Sequence, residues 1–118
     1  MKWEDSIVFL GVEDLEKVDS FYRKVLQFSL YRDQGLCRIY EIPGGGKIGF
    51  CSHMDKNISH RAPIITLLTE QVDEVYRKVK KKEINILHPP EVNEKFNIYH
   101  FFMEDPEGYS VEIQKFLD

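Results

Sequence analysis

Asp105-Pro106-Glu107-Gly108-Tyr109-Ser110-Val111-Glu112-Ile113 is the stretch on which the reading of the fold turns. Its first four residues make a turn, because proline fixes φ and glycine takes a conformation that a side chain disfavours. Beyond the turn, Val111 and Ile113 alternate with Ser110, Glu112 and Gln114, the period-two pattern of a strand with one apolar and one polar face. Residues 97–104, just before the turn, read as its partner strand. In that strand His100, Phe102 and Glu104 share one face, and Phe101 and Met103 share the other.

Working upstream, residues 84–87 suggest a third strand. Val72, Val75, Tyr76 and Val79 mark an amphipathic helix with Thr69 as a plausible N-cap, and residues 63–68 form an apolar strand before it. The second half therefore reads βαβββ. The first half gives the same order: an apolar strand over 6–12, then a helix opened by Asp14. That helix carries Leu15, Val18, Tyr22 and Val25 on one face and runs to about Leu26. Strands over 28–32, 36–42 and 47–52 follow, separated by Gly35 and by Pro43-Gly44-Gly45-Gly46. The glycine run precedes a strand and not a helix, so it reads as a hairpin turn and not as a phosphate loop.

The two halves also share letters. Tyr22-Arg23-Lys24-Val25 recurs as Tyr76-Arg77-Lys78-Val79, each time inside the helix of its half, which points to duplication. The expectation is an α+β protein: one domain over 1–118, with βαβββ modules at 5–53 and 62–117 and a polar linker over 54–62. A module of that size is marginal alone, so the sheets are expected to pack around a shared cleft.

Composition removes several functions. The 118 residues carry a net charge of −4, which disfavours nucleic acid, since phosphate binding needs a concentrated basic surface. The basic run over 78–82 reads as the solvated end of a helix. No apolar stretch approaches the ~20 residues of a membrane span, and Met1-Lys2-Trp3-Glu4-Asp5 lacks a signal-peptide core, so a cytoplasmic protein is expected. Cys37 and Cys51 are the only cysteines and lack CxxC spacing, so neither a disulfide framework nor a zinc knuckle is indicated.

With the elements in this order, the tail resembles the closing motif of the vicinal-oxygen-chelate superfamily, DP[DE]Gxx[IVL]E[IVL]. This is the group of glyoxalases, bleomycin-resistance proteins and extradiol dioxygenases. The Asp14-Leu15-Glu16 helix with Phe21-Tyr22-Arg23, and the Val72-Asp73-Glu74 helix, extend the resemblance from Ser6 to Phe116. It implies two βαβββ modules whose strands form a curved mixed sheet around a ligand cleft, with a second chain alongside. In metal-using members it further implies a divalent ion held by a His or Gln in the first strand, a His in the fifth and a Glu in the last, with a Glu in the fourth strand in some. Here those positions fall on Ile7, on Ile64, on Glu112 and near 49–51 respectively. Only Glu112 matches, and one carboxylate does not hold a catalytic divalent ion. No metal ligand set, no cofactor, and no glyoxalase or ring-cleaving activity are therefore expected.

The resemblance also turns His100, Phe102 and Glu104 toward the cleft, with Glu112 beside them. His100 and Glu112 are candidates for a proton-transfer pair, or for a polar lining that hydrogen-bonds a ligand. Arg38 and Tyr40, alternating with Ile39, are further ligand-binding candidates. Cys51 is another, although its commonest role is a small buried hydrophobe. Phe50 and Phe102 are the aromatics expected to reach the cleft. His53, His60 and His88 lie in loop-like segments and receive no role. The functional expectation is a metal-free, homodimeric binder of a small organic molecule. The alternative is a lyase, isomerase or dioxygenase, metal-dependent or metal-free, working through Glu112 and His100.

Overall fold

In the first fifty residues, five-residue runs rich in branched and aromatic side chains are cut by turn residues, and each run becomes a strand. In the computed structural model, which describes Met1–Asp118, β1 (Ile7–Gly11) runs parallel to β4 (Lys47–Cys51). Strand β4 is antiparallel to β3 (Cys37–Glu41), and β3 to β2 (Ser29–Asp33), giving the order β1-β4-β3-β2. The glycine run closes the β3–β4 hairpin. Gly44, Gly45 and Gly46 all have positive φ, and Ile42 exchanges backbone hydrogen bonds with Gly45 and Gly46.

Helix α1 (Leu15–Asp19) starts where Asp14 predicts, its carboxylate accepting from the N–H groups of Glu16 and Lys17 at 3.0 and 3.2 Å. It does not stay α-helical to Leu26. Residues Ser20–Val25 wind as a π-helix, closed by the Leu26 N–H donating to the Phe21 carbonyl. The wider turn accommodates two adjacent buried aromatics, Phe21 and Tyr22, whose ring centroids lie 4.9 Å apart. Tyr22 also packs on Phe28 and Phe50.

The second unit repeats the order. Strand β5 (Ile64–Leu68) runs parallel to β9 (Ser110–Phe116), and β9 is antiparallel to β8 (Ile98–Glu104). Helix α2 (Val72–Lys80) buries Val72 and Val79. Thr69 is not its cap. Its hydroxyl accepts from the Gln71 N–H at 3.1 Å, shaping the turn before the helix, and Gln71 occupies the cap position without a side-chain bond. The strand expected over 84–87 is only the two-residue β6 (Asn85–Ile86), and a short strand not expected from sequence, β7 (Glu91–Asn93), follows it, both paired with β8. Pro89 and Pro90 stand between the two, and neither can donate to a ladder.

Hydrogen bonding thus divides the strands into two mixed sheets, of four and five strands. The chain forms two compact units, Met1–Asn57 and Ile58–Asp118. No helix is long and apolar enough to cross a membrane.

Candidate functional site

The β8–β9 hairpin is built by its turn. Asp105 Oδ1 accepts from the N–H groups of Glu107 and Tyr109 at 2.8 and 2.9 Å, and Gly108 takes φ +92°. This fixes the β8–β9 register, with Phe102 opposite Glu112 and His100 opposite Gln114. On the other side of β9 the parallel pairing with β5 sets Thr66 beside Glu112. The alternation read from sequence then puts His100, Phe102, Glu112 and Gln114 on one face, and the structure adds Ile98 and Phe116 to it, the latter against the sequence grouping of Phe116 with Val111 and Ile113. With Ile64, Asn93 and Phe96 they line a groove of about 410 Å³.

A buried polar chain runs across this face. The Thr66 hydroxyl donates to Glu112 Oε1 at 2.8 Å, and Glu112 Oε2 lies 2.7 Å from His100 Nδ1. Glu112 and His100 are 7% and 6% exposed, so each needs the other as a partner. A carboxylate at Nδ1 makes that nitrogen the donor, which leaves the lone pair of a neutral imidazole on Nε2. The pair can therefore orient a ligand's hydrogen-bond donor, or take up a proton at Nε2 while the carboxylate stabilises the charge. Beside it, the Arg61 guanidinium lies 4.6 Å from the centre of the Phe102 ring.

The remaining candidates are dispersed. Glu104 shares the face of His100 but sits at the turn end of β8. There it accepts a hydrogen bond from Asn85 and borders a separate depression with His60, Arg61, Leu87 and Ser110. Arg38 and Tyr40 turn toward the helix of the first unit. The Tyr40 hydroxyl donates to Asp19 Oδ1 at 2.7 Å, Arg23 donates to Oδ2 at 2.8 Å, and Arg38 reaches Glu16 at 2.6 Å. Burial, reinforced by the bond to Asp19, holds the Tyr40 hydroxyl well above its ordinary pKa. Burial alone would raise Asp19, but the hydrogen bonds from Tyr40 and Arg23 outweigh it and hold the carboxyl below the usual range. Phe50, expected in the cleft, is instead fully buried against Tyr22 and Tyr40.

Cys51 is bonded to Cys37, which corrects the expectation of no disulfide. Fourteen residues of sequence separation carry no pairing signal. The β3–β4 register, which sets Cys37 directly opposite Cys51 with Cα atoms 4.1 Å apart, does.

At the metal positions implied by the resemblance the donor set does not fit an ion. Ile7 and Ile64 have no lone pair, Gly49 and Phe50 have no donor side chain, and the Cys51 sulfur is in the disulfide. Both oxygens of Glu112 are already engaged by Thr66 and His100.

His88, assigned no role from sequence, lies beside this site. Its ring lies 5.5 Å from that of His100 and 6.0 Å from that of Phe102. Its sequence signal was the spacing His88-Pro89-Pro90-Glu91, which is legible only once Glu91 is known to pair with His100 across β7 and β8.

The sequence matches the family model for the Glyoxalase/Bleomycin resistance protein/Dioxygenase superfamily over residues 5–113. The fold is similar to that of a glyoxalase/bleomycin resistance protein/dioxygenase from Nocardioides, with TM-score 0.80 and 17% identity over 100% of this chain and 86% of that one. A superfamily member from Sphaerobacter thermophilus DSM 20745 gives TM-score 0.79 and 19% identity, covering 97% and 98% of the two chains. TioX from Micromonospora sp. ML1 gives 0.78 and 17%, covering 96% and 98%. At these identities the likeness is one of fold. No curated protein matches the sequence.

Proposed function

The chain belongs to the glyoxalase/bleomycin resistance protein/dioxygenase superfamily, and from that premise we propose that it binds a small organic molecule in the groove of its second sheet, without the superfamily's metal. The observation that carries this reading is the buried Thr66–Glu112–His100 chain opening onto a groove with apolar walls. A volume near 410 Å³ falls within the roughly 300–1,000 Å³ typical of small-molecule sites. Ile64, Phe102 and Phe116 suit an aromatic or aliphatic body, while His100 and Gln114 fix a polar end. The active form is a homodimer in this reading. The edge strands β1 and β5 support it, because Val8 and Leu68 are each 62% exposed on strands with one open side.

The 2.7 Å contact between His100 Nδ1 and Glu112 favours a second reading, metal-free proton transfer on the bound molecule, with His100 Nε2 as the base and Glu112 holding its tautomer.

A thermal-shift screen of aromatic and amphipathic compounds tests the first reading. A compound present at 100 times its Kd raises stability by about 2.7 kcal/mol. Phe102→Ala, which removes a groove wall, is expected to abolish the shift. Hits that shift Phe102→Ala and the parent equally overturn the groove as the site. Recovery of the hit unchanged after incubation supports binding alone, and conversion that stops in His100→Gln supports the second reading.

A further inference from the structure

His88, Glu91 and His100 each place one donor atom within 4.8 Å of the other two, on residues outside the ligand positions of the superfamily. We propose that these three side chains form a binding site for a borderline divalent transition ion such as Zn(II) or Co(II), held by two imidazoles and one carboxylate.

The backbone brings the three together. Glu91 and His100 are directly opposed across β7 and β8, which puts their side chains on the same face of the sheet. His88 is held at the mouth of the same strand pair by Pro89 and Pro90, whose fixed φ angles leave the connection little freedom.

Both histidines are also prepared for ligation. His100 Nδ1 is held by Glu112 at 2.7 Å, and His88 Nδ1 lies 2.8 Å from the Pro89 carbonyl oxygen, to which it can only donate. Glu91 Oε1 is 3.6 Å from the same His88 Nδ1, so the exposed Glu91 side chain must swing to the Nε2 side of the ring when an ion binds. In each ring the proton is thereby placed on Nδ1 and the lone pair on Nε2. A carboxylate or backbone carbonyl behind the ligating ring is the usual support of a metal-bound histidine. Glu112 is in turn fixed by Thr66, so the support extends one residue further back. Two nitrogens and one oxygen suit zinc, cobalt or iron better than calcium or magnesium, which prefer oxygen alone.

Donor atoms around a tetrahedral ion with bonds near 2.0–2.1 Å lie about 3.3 Å apart, so the cluster must contract on loading. The contraction falls on mobile groups: the Glu91 side chain is 60% exposed, whereas that of His100 is 8% exposed. A site with three protein ligands and one exposed carboxylate exchanges with the medium. It is loaded by added metal and need not be carried through purification. The other triad, Cys37, Cys51 and His53, has both sulfurs in the disulfide and offers no equivalent site.

The test is titration of chelator-treated, full-length protein with Co(II), read by its visible absorption and by calorimetry, with Zn(II) in competition and no organic ligand present. The expected result is one Co(II) per chain, with the spectrum of a four- or five-coordinate nitrogen and oxygen site, displaced by Zn(II). His88→Ala and Glu91→Gln, both at partly exposed side chains, are expected to weaken binding at least tenfold with unchanged circular dichroism. Glu112→Gln is expected to weaken it 10- to 100-fold without abolishing it, since it acts through His100. His53→Ala and His60→Ala are expected to bind as the parent does. Affinity unchanged in His88→Ala, or lost in His53→Ala or His60→Ala, overturns the assignment. So does the absence of Co(II) binding at millimolar metal.

Discussion

Tyr40→Phe removes one oxygen from a fully buried ring and leaves the ring's packing in place. What is lost is the 2.7 Å hydrogen bond to Asp19 Oδ1, while Arg23 continues to hold Oδ2 at 2.8 Å. A buried acceptor that loses its donor costs about 1–3 kcal/mol, toward the upper part of that range for a carboxylate. Taking ~2 kcal/mol, and an unfolding entropy near 2.1 cal/mol/K per residue, a chain of 118 residues should melt about 8 °C lower. The pH dependence makes the prediction specific. Asp19 titrates below 3.8 in the folded protein, so its contribution is present above that pH and fades as the pH falls through the folded pKa. The variant loses a hydrogen bond that lowers this pKa while burial still raises it. Its acid limb therefore starts at higher pH, and the gap between variant and parent is full at pH 7 and narrows below about pH 4. On the alkaline side the sign reverses. Tyr40 titrates above its ordinary 10.0, so the parent loses stability as the pH rises past 10, and the variant lacks that loss. Melting followed by circular dichroism from pH 3 to pH 11 measures all three. A variant melting within 1 °C of the parent at pH 7, or a gap independent of pH, refutes the reasoning. Loss of groove ligand binding in this variant would instead return Tyr40 to the ligand-contact role that its strand position first suggested.

Replacing both cysteines by serine opens a 14-residue loop, worth about 3 kcal/mol in the chain-entropy account, and should lower the melting temperature only under non-reducing conditions. Oxidised parent and variant melting together would remove the cross-link from the structure. Gly11→Ala should destabilise far more than Gly49→Ala in chemical denaturation. A Cβ at residue 11 would overlap the Asp55 backbone carbonyl oxygen, whereas one at residue 49 meets the partly exposed Phe9 ring, which can rotate. Equal losses would mean that the loop at Asp55 is free to yield. Light scattering should give twice the 14.0 kDa of one chain at micromolar concentration, and a mass of one chain would count against the dimer.

The order of elements was legible because local rules wrote it. Asp14 caps where an Asp before an apolar stripe should, the glycine run makes the hairpin that three positive φ angles require, and the Asp105 turn sets the register of β8 against β9. Pairwise features were illegible for one common reason: they depend on register between segments distant in sequence. The cysteines join because β3 and β4 align them, and Thr66 meets Glu112 because β5 runs beside β9. Arg38 and Tyr40 show the complementary failure. Alternation placed them together on one face but did not say which, and Asp19, inside the region read as one helix, drew Tyr40 toward the helix. The π-helical turn was hidden because a stripe at i, i+3 and i+7 does not distinguish a widened winding from a regular one.

The partners of Glu112 follow from what surrounds it. A buried carboxylate must be satisfied, and where a cation is bound the cation does this. Here the neighbouring ligand-type position in the same sheet is Ile64, which offers nothing. Thr66 and His100 supply the missing donors, one to each oxygen. The consequence is chemical. In the proposed site, with both oxygens engaged, Glu112 acts through the ring it holds, and the atom that meets a ligand or an ion is His100 Nε2. In that proposed site the atom lies on β8 and not on β9, on the side of His88 and Glu91. Glu112→Gln and His100→Gln should then differ in a way that a carboxylate acting directly would not allow. The first weakens whatever binds at Nε2 but leaves it in place, and the second removes it.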